Sequence, residues 1–132
     1  MKKKDKAVIL IVDDNPSNIL ALESLLVTKD RHIINATDGN EALKITLKMD
    51  VDLIILDVQM PGMDGFEVAQ ILKSNNRTKN IPVIFVTAES RERKSMIKGY
   101  DEGAMDYLFK PLDPEFVKAK VTVLLKIQLQ KK

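Results

Sequence analysis

Residues 53 to 65 read LIILDVQMPGMDG: four apolar residues, Leu53 to Leu56, run into one carboxylate, Asp57, and the chain then turns through Met60-Pro61-Gly62. A short apolar run of this kind, closed by a Pro-Gly turn, reads as a strand buried on both faces. The acid that ends it therefore stands on the rim of a core. A rigid strand would hold that carboxylate still.

Similar runs recur at Ala7 to Val12, Ile33 to Ala36, Val51 to Leu56, Ile81 to Val86 and Tyr107 to Phe109. Each is short and mostly β-branched or aromatic, which predicts strands. Between them the apolar residues fall at helical spacing: Ile19, Leu22 and Leu26; Ala42, Leu43 and Leu47; Phe66, Ala69 and Leu72. A polar helix is expected over Ser90 to Lys98 and a last one from Asp113 onward. Strand and helix thus alternate five times, which predicts crossover connections, a parallel sheet and helices on both of its faces. Asn15-Pro16 and Asp113-Pro114 each pair a capping side chain with a residue pre-set for a first helical turn.

The last helix is read from about 113 to 130 on length and position, although Val121, Val123, Leu125, Ile127 and Leu129 alternate as a strand would. Read as a helix, Val117, Val121 and Leu124 form one stripe, and Phe116, Val123 and Ile127 form another. Two readings stay open: one wide buried face, or a helix that also serves a neighbouring domain, a linker or a second copy.

The 132 residues suit one domain, and 45% hydrophobic with 30% charged residues is the balance of a globular protein. Cysteine is absent, which excludes disulfides, zinc-thiolate sites and thiol catalysis, and the lone His32 cannot build a histidine metal cluster. His32 adjoins Ile33-Ile34 and reads as a strand-edge structural residue. The net charge of +2 conceals basic ends, MKKKDK and QLQKK, which read as solvated extensions rather than a nucleic-acid site. No apolar run approaches the roughly 20 residues that span a bilayer, so a cytoplasmic protein without a membrane segment is expected.

In an open parallel α/β sheet, ligands bind beyond the carboxyl ends of the strands. The first run ends at Asp13-Asp14, the third at Asp57, the fourth at Thr87 and the fifth at Lys110. Three carboxylates, a hydroxyl and an ammonium are thereby expected at one edge. Acids so close resist ionisation unless a cation shares the site. An all-oxygen ligand set suits a hard ion, and few protein ligands suit Mg²⁺ (with Mn²⁺ as the alternative) better than Ca²⁺. Such a pocket matches a phosphoryl group in transfer, with Asp57 as the nucleophile and Asp13 and Asp14 as metal ligands.

Together, VDD at Asp13-Asp14, LDVQMPGMDG around Asp57, VTA at Thr87 and DYLFKP at Lys110 closely resemble the receiver domain of two-component response regulators. The resemblance runs from about Val8 into the last helix, over a chain read as one receiver domain, 1–132, with a basic extension at 1–6. It implies a three-layer flavodoxin-like (βα)5 fold with strand order 2-1-3-4-5. It also implies transfer of a phosphoryl group from a histidine kinase or phosphotransfer protein to Asp57, without turnover of an external substrate. Carried over, Asp14, Asp57 and the backbone carbonyl of Gln59 ligate Mg²⁺, and Asp13 acts mainly through water. Lys110 and Thr87 engage phosphoryl oxygens, the amides of Val58 and Ala88 complete the cradle, Tyr107 moves with Thr87, and the Lys110-Pro111 bond is cis. The surface expected to change is the fourth helix, the fifth strand and the last helix, read by an output domain or a second copy. The wording NPSNILALESLL and GYDEGAMDYLFKPLDP is similar to receivers within hybrid kinases or multidomain regulators. Gln59 and Glu89 occupy the variable positions that tune acyl-phosphate lifetime in that family.

Three other readings compete with this one. An aspartyl-phosphate phosphatase needs its nucleophile on the first strand and a second acid two residues later, whereas Asp13 and Asp14 are consecutive. A flavin or nucleotide binder lacks its glycine-rich loop. A degenerate receiver serving only as an interaction module is disfavoured by the presence of every acid, Thr87 and Lys110.

Overall fold

In the computed structural model, which describes residues 6–88 and 106–130, the apolar run that ends in the acid is strand β3, Leu53–Asp57, buried at every position. Strand β1, Ala7–Val12, pairs with it in parallel, Ile9 opposite Leu53 and Val12 opposite Leu56. On the far side of β1 lies β2, Arg31–Ala36, and beyond β3 come β4, Val83–Thr87, and β5, Asp106–Phe109. The order is β2-β1-β3-β4-β5, all parallel. This is the flavodoxin-like sheet.

Helices α1, Pro16–Leu26, α2, Gly39–Lys48, and α3, Gly65–Lys73, alternate with these strands, and a C-terminal helix spans Pro114–Gln130. The helix expected over Ser90 to Lys98 and the variable position Glu89 lie outside the described residues. Because successive side chains of a strand point to opposite faces, the central strands feed two separate cores. Leu10, Ile54, Leu56, Phe85 and Tyr107 pack under α2 and α3. Ile9, Ile11, Leu53, Ile55, Ile84 and Leu108 pack under α1 and the C-terminal helix. Layers of helices on both faces explain why β3 reads as continuous apolar sequence.

The helix starts follow local chemistry. Asn15 Oδ1 accepts from the Ser17 amide at 2.9 Å, with Pro16 in the first turn. Asp113 Oδ1 accepts from the Glu115 amide at 3.0 Å ahead of the C-terminal helix. Two caps were not singled out in the sequence: Asp38 at α2, and at α3 a full capping box between Asp64 and Glu67.

Four expectations are corrected. On α2 the buried face carries Ala42 and Thr46, while Leu47 is exposed; Thr46 is tolerated there because its hydroxyl donates to Leu43 O at 2.8 Å. On the C-terminal helix the buried stripe is Val117, Val121 and Leu125, spaced by four, with Leu124 at its margin. Phe116, Val123 and Ile127 are exposed, so the wide buried face is not what forms. Finally, β4 starts at Val83 rather than Ile81, since Pro82 has no N–H to give the ladder, although its carbonyl accepts from Ile54.

Candidate functional site

The strands deliver their last residues to one edge. The Asp13 amide continues the ladder past β1, donating to Ala36 O at 3.1 Å, and Asp13 Oδ1 in turn accepts from the Asn15 amide at 2.9 Å. That second bond aims the Asp13 carboxylate back over the strand end, buried, while Asp14 stays exposed. Asp57 closes β3 and is 6% exposed. Carboxylate oxygens of Asp13, Asp14 and Asp57 lie within 4.8 Å of one another.

Lys110, one residue past β5, reaches this cluster from two strands along the same sheet. Thr87 ends β4 opposite Phe109 of β5, and the Lys110 amide donates to Thr87 O at 2.9 Å. Lys110 Nζ stands 3.9 Å from Asp57 Oδ1. The following Lys110-Pro111 peptide is cis. Ala88, one residue past β4, is exposed at the same rim.

Burial, more than charge, sets the proton affinity of Asp57. Its carboxyl is raised from the ordinary 3.8 to about 6, first by burial and then by the neighbouring Asp13, while Lys110 and a hydrogen bond from the Gln59 amide pull it part of the way back. Among the described residues, one ammonium faces three carboxylates, which leaves them short of positive charge.

The predicted backbone cradle is altered in one place. The Val58 amide, expected to face the phosphoryl group, donates instead to Val86 O at 3.0 Å. The reason is register: Asp57 sits opposite Val86, so the parallel ladder runs one residue beyond β3 and consumes that N–H. The Gln59 amide is the one turned to the Asp57 carboxylate.

Tyr107 is buried beneath the edge, its ring 5.6 Å from Phe85 and stacked at 6.0 Å on Phe109. His32 is exposed on the edge strand β2. A cavity of about 500 Å³ opens beside Asp13 and Lys110, walled by Ala21, Leu22 and Leu25 of α1 and by Leu112. Nothing in the sequence marks it, because α1 and the loop after β5 meet only in the fold.

Sequence and structure comparisons agree on what such a sheet edge belongs to. A model of the response regulator receiver domain matches residues 9–122. The response regulator PleD of Caulobacter vibrioides is 41% identical over 123 residues, which are 93% of this chain and 27% of that protein. Protein PilH of Pseudomonas aeruginosa is 33% identical over 90% of this chain and 98% of its own length. The solved structure of the chemotaxis protein CheY4 from Vibrio cholerae matches with a TM-score of 0.84 at 31% identity, covering 90% of this chain and 98% of that one. The chain belongs to the response regulator receiver domains, the signalling modules of two-component systems. It spans about a quarter of PleD, whose remaining length lies outside the match.

Proposed function

We propose that this chain is a phosphorylation-dependent switch whose Asp57 carboxylate accepts a phosphoryl group from the phosphohistidine of a sensor kinase or phosphotransfer protein. The observation that carries this reading is the convergence of three carboxylates within 4.8 Å, with Lys110 Nζ 3.9 Å from the central one. Oxygen-only donors, a deficit of positive charge and a solvent-exposed Asp14 fit Mg²⁺, which keeps several waters. Asp13, Asp14, Asp57 and the Gln59 carbonyl would hold it. When bound, the ion neutralises the carboxylates and the charge on the phosphoryl oxygens.

An oxygen of Asp57 attacks phosphorus while the P–N bond to the donor histidine breaks; the imidazole leaves with that electron pair. The product is an acyl phosphate. Lys110 pairs with one phosphoryl oxygen, the Thr87 hydroxyl donates to another, and the amides of Gln59 and Ala88 line the cradle. The modification adds about −1.5 to −2 charge, and Thr87 and Lys110 move to meet it. Tyr107, paired with Phe85 of the strand that ends at Thr87, follows and carries the change to β5 and the C-terminal helix. The exposed Phe116, Val123 and Ile127 of that helix support readout by an output domain or a second copy. The cavity beside α1 supports docking of the phosphodonor protein, and this reading puts the chain in the cytoplasm with its kinase.

Incubation with Mg²⁺ and a small acyl-phosphate donor tests this. Intact mass is expected to rise by one phosphoryl group, with no rise for Asp57→Asn or under chelation. No modification, or modification that survives Asp57→Asn, contradicts the reading.

A further inference from the structure

Gly65 opens α3 eight residues beyond Asp57, yet its backbone lies directly against the strand end that carries that acid. A β-carbon built there would overlap the carbonyl oxygen of Asp57 and come within 2.9 Å of Val58 Cα and 3.1 Å of the Asp57 carbonyl carbon. The Gly65 amide donates to Val58 O at 2.9 Å, closing the loop between them. The need is for space and not for backbone freedom, since the positive φ of this loop belongs to Gly62, at 76°.

Which side would yield to a larger residue is decided by what holds each one. The helix start is clamped by the capping box, with Asp64 and Glu67 exchanging two bonds of 2.9 Å, and by the neighbouring Phe66, buried edge-on against Phe85 at 4.9 Å between centroids. Asp57 and Val58 lie at the end of the ladder and lead into the open turn at Pro61-Gly62. Val58 is held as well, its amide on Val86 O and its carbonyl on the Gly65 amide, so whichever side shifts, the overlap bears directly on the peptide of the residue that carries the carboxylate.

From this we infer that Gly65 is a positioning residue for the phosphoacceptor: its missing side chain leaves the space in which the Asp57 peptide sits. The inference rests on Asp57 being the phosphoacceptor. A displacement of Asp57 changes its distance to Lys110 and to the other carboxylates together, and a misplacement of about 1 Å costs on the order of 100-fold in rate. Alanine ordinarily improves a helix over glycine; here the same change is expected to slow the chemistry.

The test compares Gly65→Ala with Gly39→Ala. A β-carbon at Gly39 also crowds its surroundings, coming within 2.7 Å of Val68 Cγ2 and 3.1 Å of Met63 Sδ, but it meets side chains between α2 and α3 and not the Asp57 backbone. Acyl-phosphate loading with Mg²⁺ is timed by intact mass below the melting temperature of each variant, and backbone amide shifts are mapped by NMR without donor. Gly65→Ala is expected to move the Asp57 and Val58 resonances and to slow loading by about 10- to 100-fold, while Gly39→Ala does neither and loads within about twofold of wild type. Equal slowing by both variants, or a folded Gly65→Ala that loads like wild type, overturns the inference. If wild type itself does not load, the proposed function fails, and the amide shifts still decide whether Gly65 positions Asp57. If Gly65→Ala does not fold, Asp64→Ala combined with Glu67→Ala replaces it. That pair frees the helix start without filling the space and is expected to load within about threefold of wild type. A tenfold loss there would overturn the inference.

Discussion

Lys110 Nζ lies 3.9 Å from Asp57 Oδ1, and the backbone of the same lysine is tied to Thr87 O at 2.9 Å. One residue thus links the acid to the strand end that bears the hydroxyl, through its side chain on one side and its amide on the other. On the proposed function, this linkage would let Lys110 pass a change of charge at Asp57 to β4 and β5.

Lys110→Ala is therefore expected to keep the fold, since Lys110 is partly exposed, and still to accept a phosphoryl group, slowly. Its phosphorylated form should lack the shifts that wild type shows at Thr87, Tyr107 and the C-terminal helix. NMR of the two proteins with and without donor checks this; wild-type-like shifts in the variant would remove Lys110 from the switch. The variant should also raise the Asp57 pKa above about 6, because Lys110 is one of the two groups that lower it.

The titration of Asp57 gives a prediction for stability. Its carboxyl binds a proton more tightly in the folded state, at about 6, than at the ordinary 3.8. The group thus favours folding below pH about 4, loses that contribution as pH rises from about 4 to about 6, and opposes folding above it. Without metal, Asp57→Asn should be more stable than wild type at pH 7.5, by on the order of 1–2 kcal/mol after allowance for solvent at the open edge. The difference should vanish below pH about 4. Added Mg²⁺ should raise the melting temperature of wild type more than that of Asp57→Asn. Thermal unfolding of both proteins across pH, with chelator and with Mg²⁺, checks all three statements.

Phe85 is fully buried on β4 and touches both Phe66 of α3 and Tyr107 of β5. Phe85→Ala should cost about 3–5 kcal/mol, seen as a lower denaturant midpoint. Because the lost ring supports Tyr107 from below, this variant should also weaken the response of β5 to phosphorylation. Ile84, equally buried but facing the other core, provides the comparison: Ile84→Val should cost about 0.5–1.5 kcal/mol and leave that response unchanged.

What could be read from the sequence follows from how local each cause is. Asp57, Thr87 and Lys110 were legible because each ends an apolar run, and strand ends in a parallel sheet share an edge. Asn15 and Asp113 were legible as caps because a proline follows each and pre-sets the first helical turn, a marker that Asp38 and Asp64 lack. Leu47 was misread because helical spacing alone does not fix where the face is centred, and Thr46 could be buried by satisfying its hydroxyl on Leu43 O. The same ambiguity of one position put Leu124 in place of Leu125. Val58 was misassigned because its amide depends on the register of β3 against β4, which no local pattern encodes. Gly65 was silent for the same reason: what it must avoid is the backbone of Asp57, eight residues away.

Trapping the product decides whether Asp57 is the phosphoacceptor. Protein loaded with Mg²⁺ and an acyl-phosphate donor is reduced with borohydride, which converts an aspartyl phosphate to homoserine, and then mapped by tandem mass spectrometry. Homoserine at position 57, and at neither 13 nor 14, is the predicted result. Homoserine at another acid, or phosphate recovered on a serine, threonine or lysine with Asp57 unchanged, would rule Asp57 out as the phosphoacceptor.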